Sequence, residues 1–303
     1  MTLFLGSLQL GLLYGIMVLG IYISFRILNI PDLTTEGSFT FGLVISALYA
    51  SSGHPFLGLL LAIIAGAAAG IVTGFLQTKC KIHPVVAGIL TMSGLYSINL
   101  YVMGGSSNLT LLGSKTVFTI AGDMLPNLDK DIIKILVALI AVLITVVLLV
   151  IFFKTHLGLA IRATGDNPDM VRASSINVDG MKITALGISN ALIALCGGLI
   201  TQYQSFADIN SGVGILVVGL ASVIIGEVFF GRRSILLGFI SCFAGSIVYR
   251  YIIAIAIKSE WFPAYMLKLV SAIIVAAALA VPAIKSAMSV WKIKHNAAKG
   301  GSR

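Results

Sequence analysis

Charge is what this chain has least of. Asp, Glu, Lys and Arg make up 10% of its 303 residues, where about 25% is usual in a soluble domain, so there is too little polar surface to clothe a globule of this size in water. Cysteine is scarce as well. Cys80, Cys196 and Cys242 are solitary and fall at or inside apolar runs, which excludes a disulfide scaffold and reads as small core residues. Seven prolines exclude a collagen-like fibre, and 58% apolar residues exclude disorder. The phosphate-cradling G-x-x-x-x-G-K-[ST] loop is missing, because Gly113-Ser-Lys-Thr lacks its spacing. No Ser-His-Asp or Cys-His arrangement is suggested. His54, His83, His156 and His295 each stand near an expected helix end, without metal-ligand partners at useful spacing. No catalytic centre, metal or cofactor is expected.

What is present is a succession of apolar runs. A spanning helix needs about 20 mainly apolar residues, and such runs lie near 3–25, 37–51, 56–78, 84–103, 132–153, 183–204, 213–230, 235–253 and 264–284. The expectation is an all-α, polytopic membrane helix bundle of about nine spans, with eight to ten allowed, forming one transmembrane domain over 1–303. The net charge of +9 would suggest nucleic acid in a soluble chain; here its placement points to the lipid. No Lys or Arg precedes Arg26, so the first run lacks the positive start of a signal peptide and is expected to stay as a helix with its amino end outside. With a cytoplasmic C-terminus, 14 of the 20 basic residues fall in inner segments, including a basic tail over 285–303, as the positive-inside rule requires.

Two runs are irregular. The stretch from Asn29 to Thr40 holds Pro31, Asp32, Thr34, Thr35, Glu36, Gly37, Ser38 and Thr40 in an apolar context. Non-helical backbone at membrane depth survives only where protein or a water-filled cavity satisfies it, so 29–40 is either a cytoplasmic loop or a re-entrant break lining a pathway. The run 212–231 is glycine-rich and ends near Glu227. That acid is either functional or part of an interfacial ion pair, Arg232 being five residues away. Glycines at 66, 70 and 74, and at 11 and 15, form small stripes suited to close helix packing. Segment 104–131, the largest exterior one, either docks something soluble or is a solvated loop.

The longest inner segment, 154–182, is the most informative. Asp166 or Asn167 is placed to cap a helix with Pro168 near its first position, while Met170, Val171 and Ile176 offer an apolar patch between Arg162, Arg172 and Lys182. It reads as a short amphipathic helix that either docks a partner or lies on lipid headgroups.

This segment resembles the cytoplasmic coupling loop of ABC importer permeases of the branched-chain amino-acid type, in which Thr155, Gly158, Ala160, Arg162, Ala163, Asn167 and Ala173 match in order. Ser175-Ile176 stands where that family usually has Gly-Ile. The resemblance extends to 11–20, to the polar break and to the late Gly226-Glu227 segment, and so covers most of 5–250. Leu33-Thr-Thr-Glu-Gly37 and Gly226-Glu227 depart from the branched-chain pattern and are similar to the tryptophan/tyrosine permease subgroup.

The resemblance implies a bacterial inner-membrane permease subunit for amino acids or similar small polar solutes. It implies cytoplasmic ABC ATPase subunits on separate chains, an extracytoplasmic solute-binding protein or lipoprotein, and a second permease copy as partners. Asp32, Thr34, Thr35, Glu36, Gly37, Ser38, Thr40 and Glu227 are the candidate translocation path. Thr155, Gly158, Arg162, Ala163, Asn167, Pro168 and Arg172 are the candidate ATPase contacts. The alternative is an ion-coupled secondary transporter that uses Glu36 and Glu227 as proton carriers.

Overall fold

The computed structural model describes residues 2–231 and 234–258, with single helical positions at 269, 272, 273, 276 and 280 beyond them. The apolar run 264–284 as a whole, the basic tail 285–303, Arg232 and His295 lie outside the described residues. The elements in order are α1 (Thr2–Tyr22) with a π-helical turn (Ile23–Ile27), α2 (Thr34–Ser51), α3 (Pro55–Thr78), α4 (Pro84–Val102), β1 (Asn108–Thr110), α5 (Val117–Met124) and α6 (Lys130–Lys154). There follow α7 (His156–Asp166), α8 (Pro168–Ala173), α9 (Val178–Gln204), β2 (Phe206–Asp208) with a 3₁₀ turn (Ile209–Gly212), α10 (Ile215–Phe230) and α11 (Ile235–Lys258).

Seven helices among the described residues are long and apolar enough to cross a membrane, fewer than the eight expected runs that lie within those residues. The run at 37–51 became α2, whose first seven positions hold Thr34, Thr35, Glu36, Ser38 and Thr40. Twelve of its 18 residues are buried, and α9, α3, α4 and the 209–212 turn pack around it, so α2 is an interior helix. The lipid-facing role falls to helices such as α6, of mean hydropathy 3.5 and only 22% buried. The all-α expectation is also adjusted: β1 and β2 pair antiparallel, with Leu109 opposite Ala207.

Side-chain contacts sort the loops onto two faces. Asn29 with Gly165, Arg26 with Glu227 and Lys79 with Asp179 gather on the face that carries α7 and α8. The β-ribbon, α5 and the Gln9, Asp131 and Tyr203 cluster occupy the other. Segment 104–131 is more than a solvated loop there, because a Thr116–Thr119 capping box starts α5, Phe118 is buried against Tyr203, and the Val117 N–H donates to Gln202. Three of the histidines do stand at helix starts, His54 before α3, His83 before α4 and His156 opening α7. Cys196 and Cys242 are core residues, whereas Cys80 is exposed in the α3–α4 turn.

The small stripes pack as their spacing suggests. Gly66, Gly70 and Gly74 face Ala194, Asn190, Leu186 and Ile183 of α9, while Gly11 and Gly15 face Ile247 and Phe243 of α11. In hydrocarbon there is no hydrophobic drive between helices, so this close backbone approach supplies the dispersion contacts that hold them. A second theme is polar: Arg250 stacks on the Tyr14 ring at 3.7 Å, and Tyr14 stacks in turn on Phe39.

A methyl group at Gly70 would run into the Leu186 carbonyl oxygen, whereas one at Gly94 meets nothing within 4 Å. Gly70→Ala is therefore expected to destabilise by about 1–3 kcal/mol through overpacking, and Gly94→Ala to be neutral or slightly stabilising. Thermal unfolding of the two variants in detergent should separate them by several degrees.

Candidate functional site

The interior holds two places where a helix begins inside the bundle, and each exposes backbone N–H groups that lipid cannot satisfy. At the first, the chain leaves the π turn at Ile27 and doubles back through 28–33 before α2 begins. Asp32 is fully buried. One carboxylate oxygen accepts the Thr34 N–H at 2.9 Å, and the other accepts the Asn190 side-chain amide at 2.7 Å. Asn190 stands twelve residues into α9, about 18 Å along the helix, so α2 starts well inside the bundle. The Thr35 hydroxyl donates to the Asp32 carbonyl, and the hydroxyls of Thr34, Thr73 and Thr91 run in a row with spacings of 2.7 and 2.9 Å.

At the second, the segment after the ribbon turns inward through 209–214 before α10 begins. Its cap comes from α2: Glu36 Oε1 accepts the Gly214 N–H at 2.9 Å, and the Leu216 N–H acts on the same carboxylate. A carboxylate at a helix N-terminus is stabilised both by these orphan donors and by the helix dipole. Gly212 sits against the Glu36 carbonyl and the Thr40 hydroxyl with no room for a side chain.

Beside this second start lies a cavity of about 300 Å³, lined on one wall by Glu36, Gly37 and Thr40, on another by Met92, Ser93, Tyr96 and Asn99 of α4, and closed by the 209–213 turn. Glu36 is only partly buried, whereas Asn99 is 1% exposed. The Asn99 side-chain oxygen has no hydrogen-bond partner among the described residues.

On the α7–α8 face, Thr155 caps α7 by accepting the Gly158 N–H, and Asn167 caps α8 by accepting the Asp169 and Met170 N–H groups with Pro168 at its first position. Gly165 lies against the Ile27 carbonyl, too close for any side chain, and Asn29 donates to the Gly165 carbonyl at 3.1 Å. The π turn so gripped presents Arg26, which pairs with Glu227 in the last turn of α10 at 2.6 Å. Leu157, Leu159, Met170 and Arg172 are exposed on this loop, and Arg162, also exposed, lines a groove with Arg26, Asp166 and Glu227.

The family described as branched-chain amino acid transport system, permease component, matches residues 3–280. The chain belongs to this permease family. It is 40% identical to the tyrosine transport system permease protein of Clostridioides difficile over 271 residues, 89% of this chain and 88% of that one. It is also 24% identical to a probable branched-chain amino acid transport permease protein of Methanocaldococcus jannaschii, covering 73% and 72% of the two chains. A ribose import permease of Haemophilus influenzae is 26% identical over 56% of this chain and 52% of its own. No solved structure matches closely enough to carry a comparison.

The permease thus carries the residues singled out in its sequence in three separate places. Glu36, Gly37 and Thr40 line the cavity; Asp32, Thr34, Thr35 and Ser38 are buried beside it, most of them in the hydrogen-bond network that starts α2. Glu227 is not brought to them. It lies thirteen residues beyond Gly214, about 20 Å along α10, and among the described residues it pairs with Arg26, 201 residues away in sequence. Glu36 and Glu227 therefore stand at opposite ends of α10. Asn190 and Arg26 make contacts that sequence reading missed, although a single amide inside an otherwise apolar span is the kind of signal that marks such positions.

Removing the Asp32 carboxylate leaves the Thr34 N–H and the Asn190 amide short of an acceptor in a dry interior. Asp32→Ala is expected to cost about 2–3 kcal/mol, and Asp32→Ala with Asn190→Ala about 1 kcal/mol less than the sum of the single variants. A double-mutant cycle read by unfolding of the purified permease checks this.

Proposed function

We propose that the permease is the membrane subunit of an ATP-driven importer for an amino acid or similar small polar solute, working with separate ABC ATPase subunits and an extracytoplasmic solute-binding protein. The observation that carries this reading is the seating of α7 on the π turn of α1. In this reading the permease lies in the bacterial plasma membrane, the α7–α8 face and the C-terminus are cytoplasmic, that face receives the ATPase, and the ribbon face is external. A second permease copy completes the pathway, with the cavity at Glu36, Gly37 and Thr40 on the route of the solute.

The physical sequence of contacts supports how nucleotide-driven motion could reach that cavity. A displacement of α7 acts on Ile27 and Asn29, hence on Arg26, hence through the ion pair on the inner end of α10. At its other end α10 is bound to Glu36 at the cavity wall. The exposed Leu157, Leu159 and Met170 with Arg162 and Arg172 give the loop an outward surface of apolar and cationic groups for a partner. Thr155, Gly158, Ala163, Asn167 and Pro168 build that surface from behind, as caps and close packing. An ATPase shifts the bundle only as far as it binds its two states differently, so the loop must be engaged in both.

Two outcomes test the reading in reconstituted vesicles. Met170→Asp combined with Arg172→Ala leaves the caps intact and should reduce ATP-driven uptake at least tenfold, with loss of ATPase co-purification; normal uptake would remove the loop from the mechanism. Arg26→Glu should leave the ATPase bound and hydrolysing while uptake falls, and Arg26→Glu with Glu227→Arg should recover part of it. If the charge-swapped pair behaves no better than the single variant, the route through α10 is wrong.

A further inference from the structure

We propose that the cavity between α2, α4 and the 209–213 turn holds the ammonium group of the transported solute, with Glu36 and Asn99 as its acceptors. This rests on the permease reading and narrows its substrate to a compact primary amine with an apolar body.

The lining has one charge sign. Among the described lining residues there is a carboxylate at Glu36, an amide at Asn99, hydroxyls at Thr40, Ser93 and Tyr96, and no Lys, Arg or His. No ion pair to Glu36 occurs among the described residues, whose three salt bridges all lie elsewhere. Two backbone N–H groups satisfy part of its hydrogen-bonding capacity, yet they carry no full charge to balance it. A carboxylate has about four acceptor positions, so sites remain on Glu36 facing the cavity. Asn99 adds a second acceptor, since its side-chain oxygen is buried and lacks a partner among the described residues. A buried polar atom left in that state is costly.

An ammonium group answers both deficits, because it brings a positive charge and three donors on one nitrogen. A hydroxyl solute would satisfy Asn99 and leave Glu36 uncompensated; an anionic solute would be repelled. The remaining walls are Met92, Ile209, Val213 and the Tyr96 ring, which suit an aliphatic or aromatic side group. A volume of about 300 Å³ is at the lower end of small-molecule sites, and fits one amino-acid-sized solute. Nothing in the lining pairs with a carboxylate, so that end of an amino acid points to the mouth and contributes little to binding.

The test uses the purified full-length permease in lipid nanodiscs and three probes that differ by one group each: L-tyrosine, the solute named for the Clostridioides difficile relative; tyramine, which lacks the carboxylate; and 3-(4-hydroxyphenyl)propionate, which lacks the ammonium. L-tyrosine and tyramine should raise the unfolding temperature in a concentration-dependent way and the propionate should not. Asn99→Leu, which leaves the α10 cap untouched, should move the half-saturating tyramine concentration up at least tenfold, and Glu36→Gln should abolish the shift. An equal response to the propionate, no response to either amine, or an unchanged response in Asn99→Leu would each overturn the proposal. Uptake by the wild-type complex with its ATPase separates the two readings: ATP-driven uptake without the amine response removes the pocket alone, whereas absence of ATP-driven uptake removes the importer reading beneath it.

Discussion

Two helices of this permease begin inside the bundle, and the need to satisfy their first backbone N–H groups there constrains much of the rest. Lipid offers no hydrogen bonds, so each start requires an acceptor from the protein, and in both cases it is a carboxylate: Asp32 for α2 and Glu36 for α10. Because Asp32 is itself buried, it needs Asn190, and that ties α2 to the middle of α9. Because Glu36 lies in the first turn of α2, the cap of α10 is carried by the helix that Asp32 starts. The two breaks are thus ordered, the second depending on the first.

The same constraint explains which parts of the fold were legible in sequence. Long apolar runs give the spans directly, since lipid exposure demands 20 or so apolar residues regardless of neighbours. The polar stretch 29–40 was legible as a break for the complementary reason, that it could not face lipid. Its resolution was not legible, because whether such a segment becomes a loop or a re-entrant turn depends on partners such as Asn190, Thr73 and Thr91 that lie far off in sequence. The over-count of spans has the same origin. The run at 37–51 is apolar enough to suggest lipid contact, but with its polar start it is stable only when other helices surround it.

The site shows a similar division. Local signals narrowed the cap of α8 to Asp166 or Asn167 with Pro168 at its start, and Asn167 is the cap, because capping is decided within three or four residues. Glu227 was legible as an acid near the membrane face and as a member of an ion pair. Its contact with Arg26 was not, since Arg26 is brought to it by the packing of α1 against α10 and by the π turn that carries it. A π turn adds a residue to the helical repeat and re-aims the side chains after it, and no periodicity in Ile23–Ile27 announces that.

These features give α10 an unusual position in the molecule. Its 16 residues make a rod about 24 Å long, with glycines at positive φ on either side, Gly214 at +83° and Gly231 at +70°. Residues with side chains resist that backbone region, so both junctions are turns that another residue type would strain. The rod is held at each end by a carboxylate contact to a different helix, Glu36 on α2 and, through Glu227, Arg26 on α1. Hydrogen-bonded ends and an intact helix between them transmit displacement better than side-chain packing alone, because a packed interface can slide whereas the rod can only tilt or translate. A helix fixed in this way joins the face that carries α7 to the cavity wall through two polar contacts.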